Sequence, residues 1–335
     1  MDTERFNQIE QMIRHEMSAE QCVRIELAAQ ETNAPQAVAA LLGEKAIMLG
    51  KSRLCPICGA SGAVKNGHDR RGLQRFTCHN PECGCHFTAI TGTHLSGMRM
   101  PDKWIAFVGS LADQRSLDWV KQNLGISRKT GFAWRKRFLG SADEIPADML
   151  GGIVEADETY FVRSFKGHRG WKTGHPPENR PPRYRGSGAV KRGLSSEQVP
   201  VVTALDRNGR VVQGVLSERS DTKILEMLAG RIEVGSVICS DGQSSYPKVA
   251  QACSGEHRTI ERPVHTQEDK ARGLTRGRPG ALGLGRVNAY HQTLKTSINR
   301  IFRGVSTRFL PNYLALAKHL RGTAPAFVFI RAAIA

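Results

Sequence analysis

Between Lys270 and Ala335 the chain contains no aspartate and no glutamate, while it carries twelve lysines and arginines. The last fifth of the protein can therefore donate no carboxylate to any site. A ligand drawn from it must be an amide, an imidazole or another neutral group. Also missing is any apolar run long enough to span a membrane, and the opening MDTERFNQIEQMIRHEM mixes acids and bases with no apolar signal core. These absences argue against a membrane protein and for a cytoplasmic, nucleoid-associated one.

What is present points to a polyanion. Lys and Arg number 48 against 31 Asp and Glu, a formal charge of +17, and the isoelectric point is near 9.9. Cationic side chains gain affinity by releasing phosphate counterions, so nucleic acid is the first expectation and an anionic membrane the second. With 335 residues and 40% hydrophobic content, two to four domains are expected. Of eight cysteines, five fall between Cys55 and Cys85, a clustering that suits a metal site in a reducing compartment better than a disulfide framework. Cys22, Cys239 and Cys253 read as buried thiols.

Residues 1–50 read as a helical lead-in, with Phe6, Ile9 and Ile13 three to four apart and a second helix over VAALLGEKAIML ending near Gly50. Residues 51–95 are rich in turn formers. Cys55 and Cys58 precede an Asn66-Gly67 hairpin signal, and Cys78 and Cys83 follow it. Two such knuckles offer four thiolates to tetrahedral Zn2+, and a small element with little core needs that cross-link to fold. The pattern predicts a zinc ribbon with a structural zinc. Cys85, His79 and His86 are neighbouring alternatives for the fourth ligand, and Cys83 is preferred because it leaves Phe87 free to pack beneath the knuckle.

Residues 100–140 predict three short helices, with Ser116 and Ser127 as N-caps and Gly125 in the turn between the second and third. This is a helix-turn-helix. Its third helix carries Arg128, Lys129, Arg135, Lys136 and Arg137 as the expected DNA-binding face, with Phe132, Trp134 and Phe138 on the packed side.

From about residue 150 to 320 the periodicity changes. IVEADETYFV, then VPVVTALDRNGRVVQGVLS around an Asn208-Gly209 turn, then the helix TKILEMLAGRI, the short strand SVICSDG and later helices run in the order of an RNase H-like fold. The whole is thus expected to be a multidomain α+β protein: zinc ribbon and helix-turn-helix, then an RNase H-like α/β catalytic domain with a mixed sheet flanked by helices. Residues 321–335 read as a C-terminal tail. Two Gly-, Pro- and Arg-rich stretches, residues 163–194 and 261–285, read as loops near the substrate, with Lys166, Arg169 and Lys172 as phosphate contacts.

Asp157 and Asp241 close two strand-like runs that this architecture lays side by side, although they stand 84 positions apart (241 − 157). Paired strand-end carboxylates suit a hard divalent cation, Mg2+ or Mn2+, and two ions about 4 Å apart can activate one oxygen and stabilise another. Glu158 alternates to the other face of the strand and reads as structural. In the helix beginning at Arg286 the apolar stripe is Val287, Tyr290, Leu294, Ile298 and Ile301. Asn288, His291 and Lys295 fall within roughly 60° of one another on its polar flank. Either His291, as a neutral imidazole, or Asn288, through its amide oxygen, stands in for the missing third carboxylate, and Lys295 suits a phosphate.

At these residues the chain resembles the bacterial insertion-sequence transposases that join a zinc ribbon to a DDE-type integrase domain. The resemblance runs from about Leu54 to Leu320 through CPICG with the later cysteines and FTAITGT, VEADETYF, SDGQSSY, VNAYHQTLK and FRGVSTRFLPNYL. It implies binding to the terminal inverted repeats of the element, metal-dependent cleavage at its ends, and attack of the freed 3′ hydroxyl on target DNA by a homodimer or larger assembly. Asp157 and Asp241 match the first two catalytic acids. Many members have Glu where this chain has His291, and Asn or His is a familiar replacement. Competing expectations are an RNase H-like nuclease without strand transfer and a DNA-binding regulator with a decayed site.

Overall fold

A computed structural model describes residues 3–18, 21, 34–144, 149–179, 195–260, 282–321 and 326–335. The chain divides into two compact units, Met1–Ile145 with Thr323–Ala335, and Pro146–Gly322.

The first unit begins with α1 (Thr3–His15) and α2 (Ala34–Ser52). Ala46 and Leu49 of α2 pack against a small core of Cys55, Ala63, Phe76, Cys78 and Phe87. That core belongs to an antiparallel sheet of β1 (Val64–His68), β2 (Gln74–Thr77) and β3 (His86–Phe87). Phe87 packs where expected, its ring stacked on Phe76 with centroids 5.4 Å apart. The Asn66-Gly67 pair does not make the hairpin turn. It sits inside β1 at a register shift between Lys65 and His68, and the chain reverses at Asp69–Gly72 instead. Asp69 wins because its carboxylate accepts the Arg71 and Leu73 N–H groups and the Arg71 guanidinium, while Gly72 takes the positive φ of 78°.

Three helices follow: α3 (Trp104–Ala112), α4 (Leu117–Leu124) and α5 (Arg128–Gly140). Ser116 and Ser127 cap α4 and α5 by accepting the Trp119 and Thr130 N–H groups, and Gly125 ends α4 at φ 64°. Gly131 lets α5 approach α4, since a Cβ there would lie 3.2 Å from Leu117. Trp104, Phe107, Trp134 and Phe138 fill the centre. Phe132, expected among them, is exposed. Within residues 321–335, read from sequence as a tail, Ala326–Ile334 form α10, whose Phe329, Ile330, Ala333 and Ile334 are buried in this unit.

The second unit is built on a five-stranded sheet in the order β6-β5-β4-β7-β8. The strands are β4 (Ile153–Val162), β5 (Gln198–Asp206), β6 (Val211–Val215), β7 (Val237–Ser240) and β8 (Glu256–Thr259). β4 to β6 form an antiparallel meander, while β7 and β8 join β4 in parallel. Val154 and Ala156 of β4 bury one face against α6 (Asp221–Leu228) and α7 (Ser245–Ala252). Phe161 lies on the other face, under Tyr290 and Leu294 of α8 (Gly285–Thr296) and Leu310 and Leu314 of α9 (Leu310–Arg321). The helix predicted to reach Phe302 leaves α geometry after Thr296 and widens into a π turn over Ser297–Ile301. The wider turn shifts the helical phase and carries Ile301 out of the apolar stripe, leaving it 45% exposed.

Candidate active site

The period of β4 sorts its acidic residues. Glu155 and Asp157 face α8, and Glu158 faces α7, where its carboxylate accepts the Tyr246 hydroxyl at 2.9 Å and stands 3.9 Å from Arg219. Burial raises the Glu158 carboxyl above its ordinary range. Glu158 thus faces away from Asp157, as its position in the strand predicts.

Asp157 and Asp241 are related by strand register. Ile153, Val154 and Glu155 of β4 pair with Val237, Ile238 and Cys239 of β7 at a constant offset of 84 residues (237 − 153). The two aspartates have the same separation (241 − 157), so Asp241, one residue past the end of β7, continues the register to the level of Asp157. Asp241 is exposed, and its carboxylate accepts the Gln243 N–H at 3.4 Å.

The candidates for a third group lie on α8. His291 is 6% exposed and its Nδ1 lies 3.7 Å from Asp157 Oδ2, whereas Asn288 and Lys295 are exposed on α8. Of the residues predicted on the polar flank, only His291 is buried, at the point where α8 packs against Asp157 of β4. Burial, opposed by the Glu158 N–H bond and reinforced by the charge of Asp241, lifts the Asp157 carboxyl to about 6. Burial, with the Lys295 charge added, holds the His291 imidazole down at about 4. His291 is then neutral near pH 7, and the 3.7 Å approach is not an ion pair.

These properties fit a cation. The His291 Nε2 atom is buried with no hydrogen-bond partner, and the Asp157 carboxylate is penalised by burial. A divalent ion at the Asp157 carboxylate, met by the Nδ1 atom of the neutral His291 ring, would offset the burial penalty on the acid. The donor types, two carboxylates and a neutral imidazole, suit Mn2+ at least as well as Mg2+, which prefers oxygen throughout.

Glu155 has no counterpart among the sequence expectations. It is 1% exposed, pairs with Arg207 at 2.7 Å and accepts the backbone N–H groups of Arg286 and Val287 at 2.8 and 3.0 Å. Its signal in the sequence was only its parity with Asp157.

In the first unit, the sulfurs of Cys55, Cys58, Cys78 and Cys83 all lie within 4.8 Å of one another. The Ile57 and Asn80 N–H groups donate to the Cys55 and Cys78 sulfurs, each at 3.4 Å, as in a metal knuckle. Cys85 is close too, 3.2 Å from Cys83 and 3.4 Å from Cys55. Cys239 and Cys253 are buried free thiols, and Cys22 lies outside the described residues.

The basic helix α5 is less uniform than its sequence suggested. Arg128 pairs with Asp118, Lys129 is exposed, and the Lys136 ammonium stands 4.7 Å over the Phe132 ring. Arg137 donates to the Ser96 carbonyl. Arg135 departs from the expected basic face: it is 8% exposed and donates to the Arg115 carbonyl at 3.3 Å, because its position one residue after Trp134 falls on the packed side of the helix. In the loop after β4, the Lys166 ammonium donates to the Arg303 and Gly304 carbonyls rather than standing open to a phosphate. Arg169 and Lys172 are exposed, while residues 180–194 and 261–281 of the two predicted loops lie outside the described residues.

A mixed sheet ordered third-second-first-fourth-fifth, with its second strand antiparallel and an aspartate on the central strand, defines an RNase H-like domain. Residues 149–318 match the ISXO2-like transposase domain, and the chain belongs to that family. No curated protein matches the chain. Three solved structures resemble it weakly. A pre-cleavage Mos1 transpososome is 10% identical, covering 66% of this chain and 77% of its own, with a TM-score of 0.20. A Mos1 transposase paired-end complex with left transposon end is 11% identical over 65% and 77%, at 0.21. The Mos1 Strand Transfer Complex is 12% identical over 65% and 76%, also at 0.21. Among the described residues no helix is long and apolar enough to cross a membrane.

Proposed function

We propose that this transposase binds the terminal inverted repeats of an insertion sequence, cleaves DNA at its ends and transfers the freed strand to target DNA. The observation that carries the reading is the approach of His291 on α8 to Asp157 on the central strand, with Asp241 one register step beyond β7. Asp157, Asp241 and His291 would hold Mg2+ or Mn2+, and Asn288 stands one turn away on the exposed side of the same helix. A metal bound there would activate the attacking oxygen and stabilise the leaving one. The chain's own groups do the rest. Neutral His291 offers a lone pair without adding charge, and exposed Lys295 offers a point charge to a phosphate. No side chain is required as a covalent nucleophile, so positioning of the DNA dominates the rate.

Cys55, Cys58, Cys78 and Cys83 would hold a structural Zn2+ that fixes the ribbon. Arg128, Lys129, Lys136 and Arg137 of α5 would meet DNA, while Arg135 supports the helix from within. Joining two element ends calls for a homodimer or larger assembly.

The test is strand transfer. Purified full-length protein with Mn2+ or Mg2+ should join an oligonucleotide of the element's terminal repeat to plasmid DNA. Cleavage without joined product would identify a nuclease instead, and repeat binding with neither reaction would identify a regulator.

A further inference from the structure

Glu155 precedes Asp157 by two residues on the same face of β4, and its carboxylate is bonded to two other segments of the same chain. One oxygen accepts the Arg286 and Val287 N–H groups at 2.8 and 3.0 Å, and the other pairs with Arg207 at 2.7 Å. The Arg286 guanidinium in turn donates to the Arg207 carbonyl at 2.6 Å, closing a ring between β4, the residue after β5 and the first turn of α8. The first N–H groups of a helix have no partners within it, and here the N-cap residue, Leu284, offers no side-chain bond. A buried carboxylate from a strand takes that role and also complements the positive end of the helix.

The spacing gives this cap a second consequence. Two residues along a strand advance about 6.6–6.8 Å, and four along a helix about 6 Å. With Glu155 bonded to Val287, a step of two on β4 and a step of four on α8 arrive together at Asp157 and His291, the pair 3.7 Å apart. α8 also packs on the sheet through the buried side chains of Tyr290 and Leu294, and apolar packing is non-directional.

We propose that Glu155 is a positioning residue, fixing the axial register of α8 on β4 and thereby holding the His291 imidazole against the Asp157 carboxylate. The role rests on the reading of His291 as third metal ligand, and its test separates the two. Mn2+ affinity is measured by electron paramagnetic resonance on zinc-loaded full-length protein: the unmodified chain, Glu155→Gln, His291→Ala and the double variant. Glu155→Gln keeps the volume but turns an amide toward Arg207, and should weaken Mn2+ binding about 10- to 100-fold, the range for partners that orient a ligand. In the His291→Ala background the same change should cost less than about twofold, because its effect passes through His291.

Val154→Ala, on the opposite face of β4, serves as the control for lost stability and should leave affinity unchanged. If Glu155→Gln is too unstable to purify, Glu155→Asp retains the charge, shortens its reach by one methylene and should give a smaller weakening. Unchanged affinity in the Glu155 variants beside a weakened His291→Ala overturns the positioning role alone, as does an equal loss in Val154→Ala or full additivity in the double variant. Unchanged affinity in His291→Ala overturns the third-ligand reading and the positioning role with it.

Discussion

His291 presents its Nδ1 atom 3.7 Å from the Asp157 carboxylate, and the two are pushed in opposite directions by the same burial: the acid up to about 6, the imidazole down to about 4. One environment thus makes the carboxylate costly to ionise and keeps the histidine neutral. Without a cation the pair is a liability to the fold, and under the proposed function a cation would make it a ligand set.

Asp157→Asn should therefore abolish strand transfer and yet stabilise the metal-free protein. The carboxyl moves from 3.8 to about 6 on folding, so between these values the folded state holds the extra proton. Stability from this group is greatest below pH 4 and declines as pH rises to 6, by on the order of 2–3 kcal/mol. Thermal melts of metal-free protein at pH 5 and pH 8 check this: the gain from Asp157→Asn should appear at pH 8 and shrink at pH 5. An equal gain at both would remove the burial penalty from the account.

Replacing His291 and Asn288 separately should split the two candidates for the third position. His291→Ala should lower the strand-transfer rate by about 100-fold or more, since losing a ligand costs at least as much as losing its supporting partner. Asn288→Ala, altering an exposed side chain, should remain within about threefold. Equal losses would place both side chains on the metal.

Zinc stoichiometry should be one per chain, and the fifth thiol should be dispensable. Cys85→Ser is expected to retain the ion, whereas Cys58→Ser should release it and unfold the ribbon, whose core is little more than the Phe76 and Phe87 stack. Metal analysis with tryptophan-independent circular dichroism reads both. Loss of zinc from Cys85→Ser with retention in Cys83→Ser would exchange the fourth ligand.

Two arginine and lysine changes on α5 should behave differently although they are six residues apart. Lys129→Ala is expected to weaken binding to terminal-repeat DNA and reduce the slope of log affinity against log salt by about 1. Arg135→Ala should leave that slope intact and cost about 1–3 kcal/mol of stability, because its guanidinium is buried against the Arg115 carbonyl. Binding isotherms at several salt concentrations, with thermal melts, distinguish the two effects.

By itself the sequence determined whatever depends on local chemistry and period. The caps Ser116 and Ser127, the cysteine knuckles, the strand around Asp157 and the absence of any acid after Asp269 are written in neighbouring residues, and so is the offset of 84 that pairs the two aspartates once parallel strands are assumed. Tertiary structure decided what depends on which surfaces meet. Helical phase grouped Asn288, His291 and Lys295, but only the docking of α8 onto β4 buried His291 and left the other two outside. Likewise Arg135 became a core residue, a π turn released Ile301, and Asp69 took the hairpin turn from Asn66-Gly67. Glu155 is the clearest case. A strand glutamate has no local reason to cap a helix 131 residues away in the chain, and its bonds exist only because the first turn of α8 docks against β4.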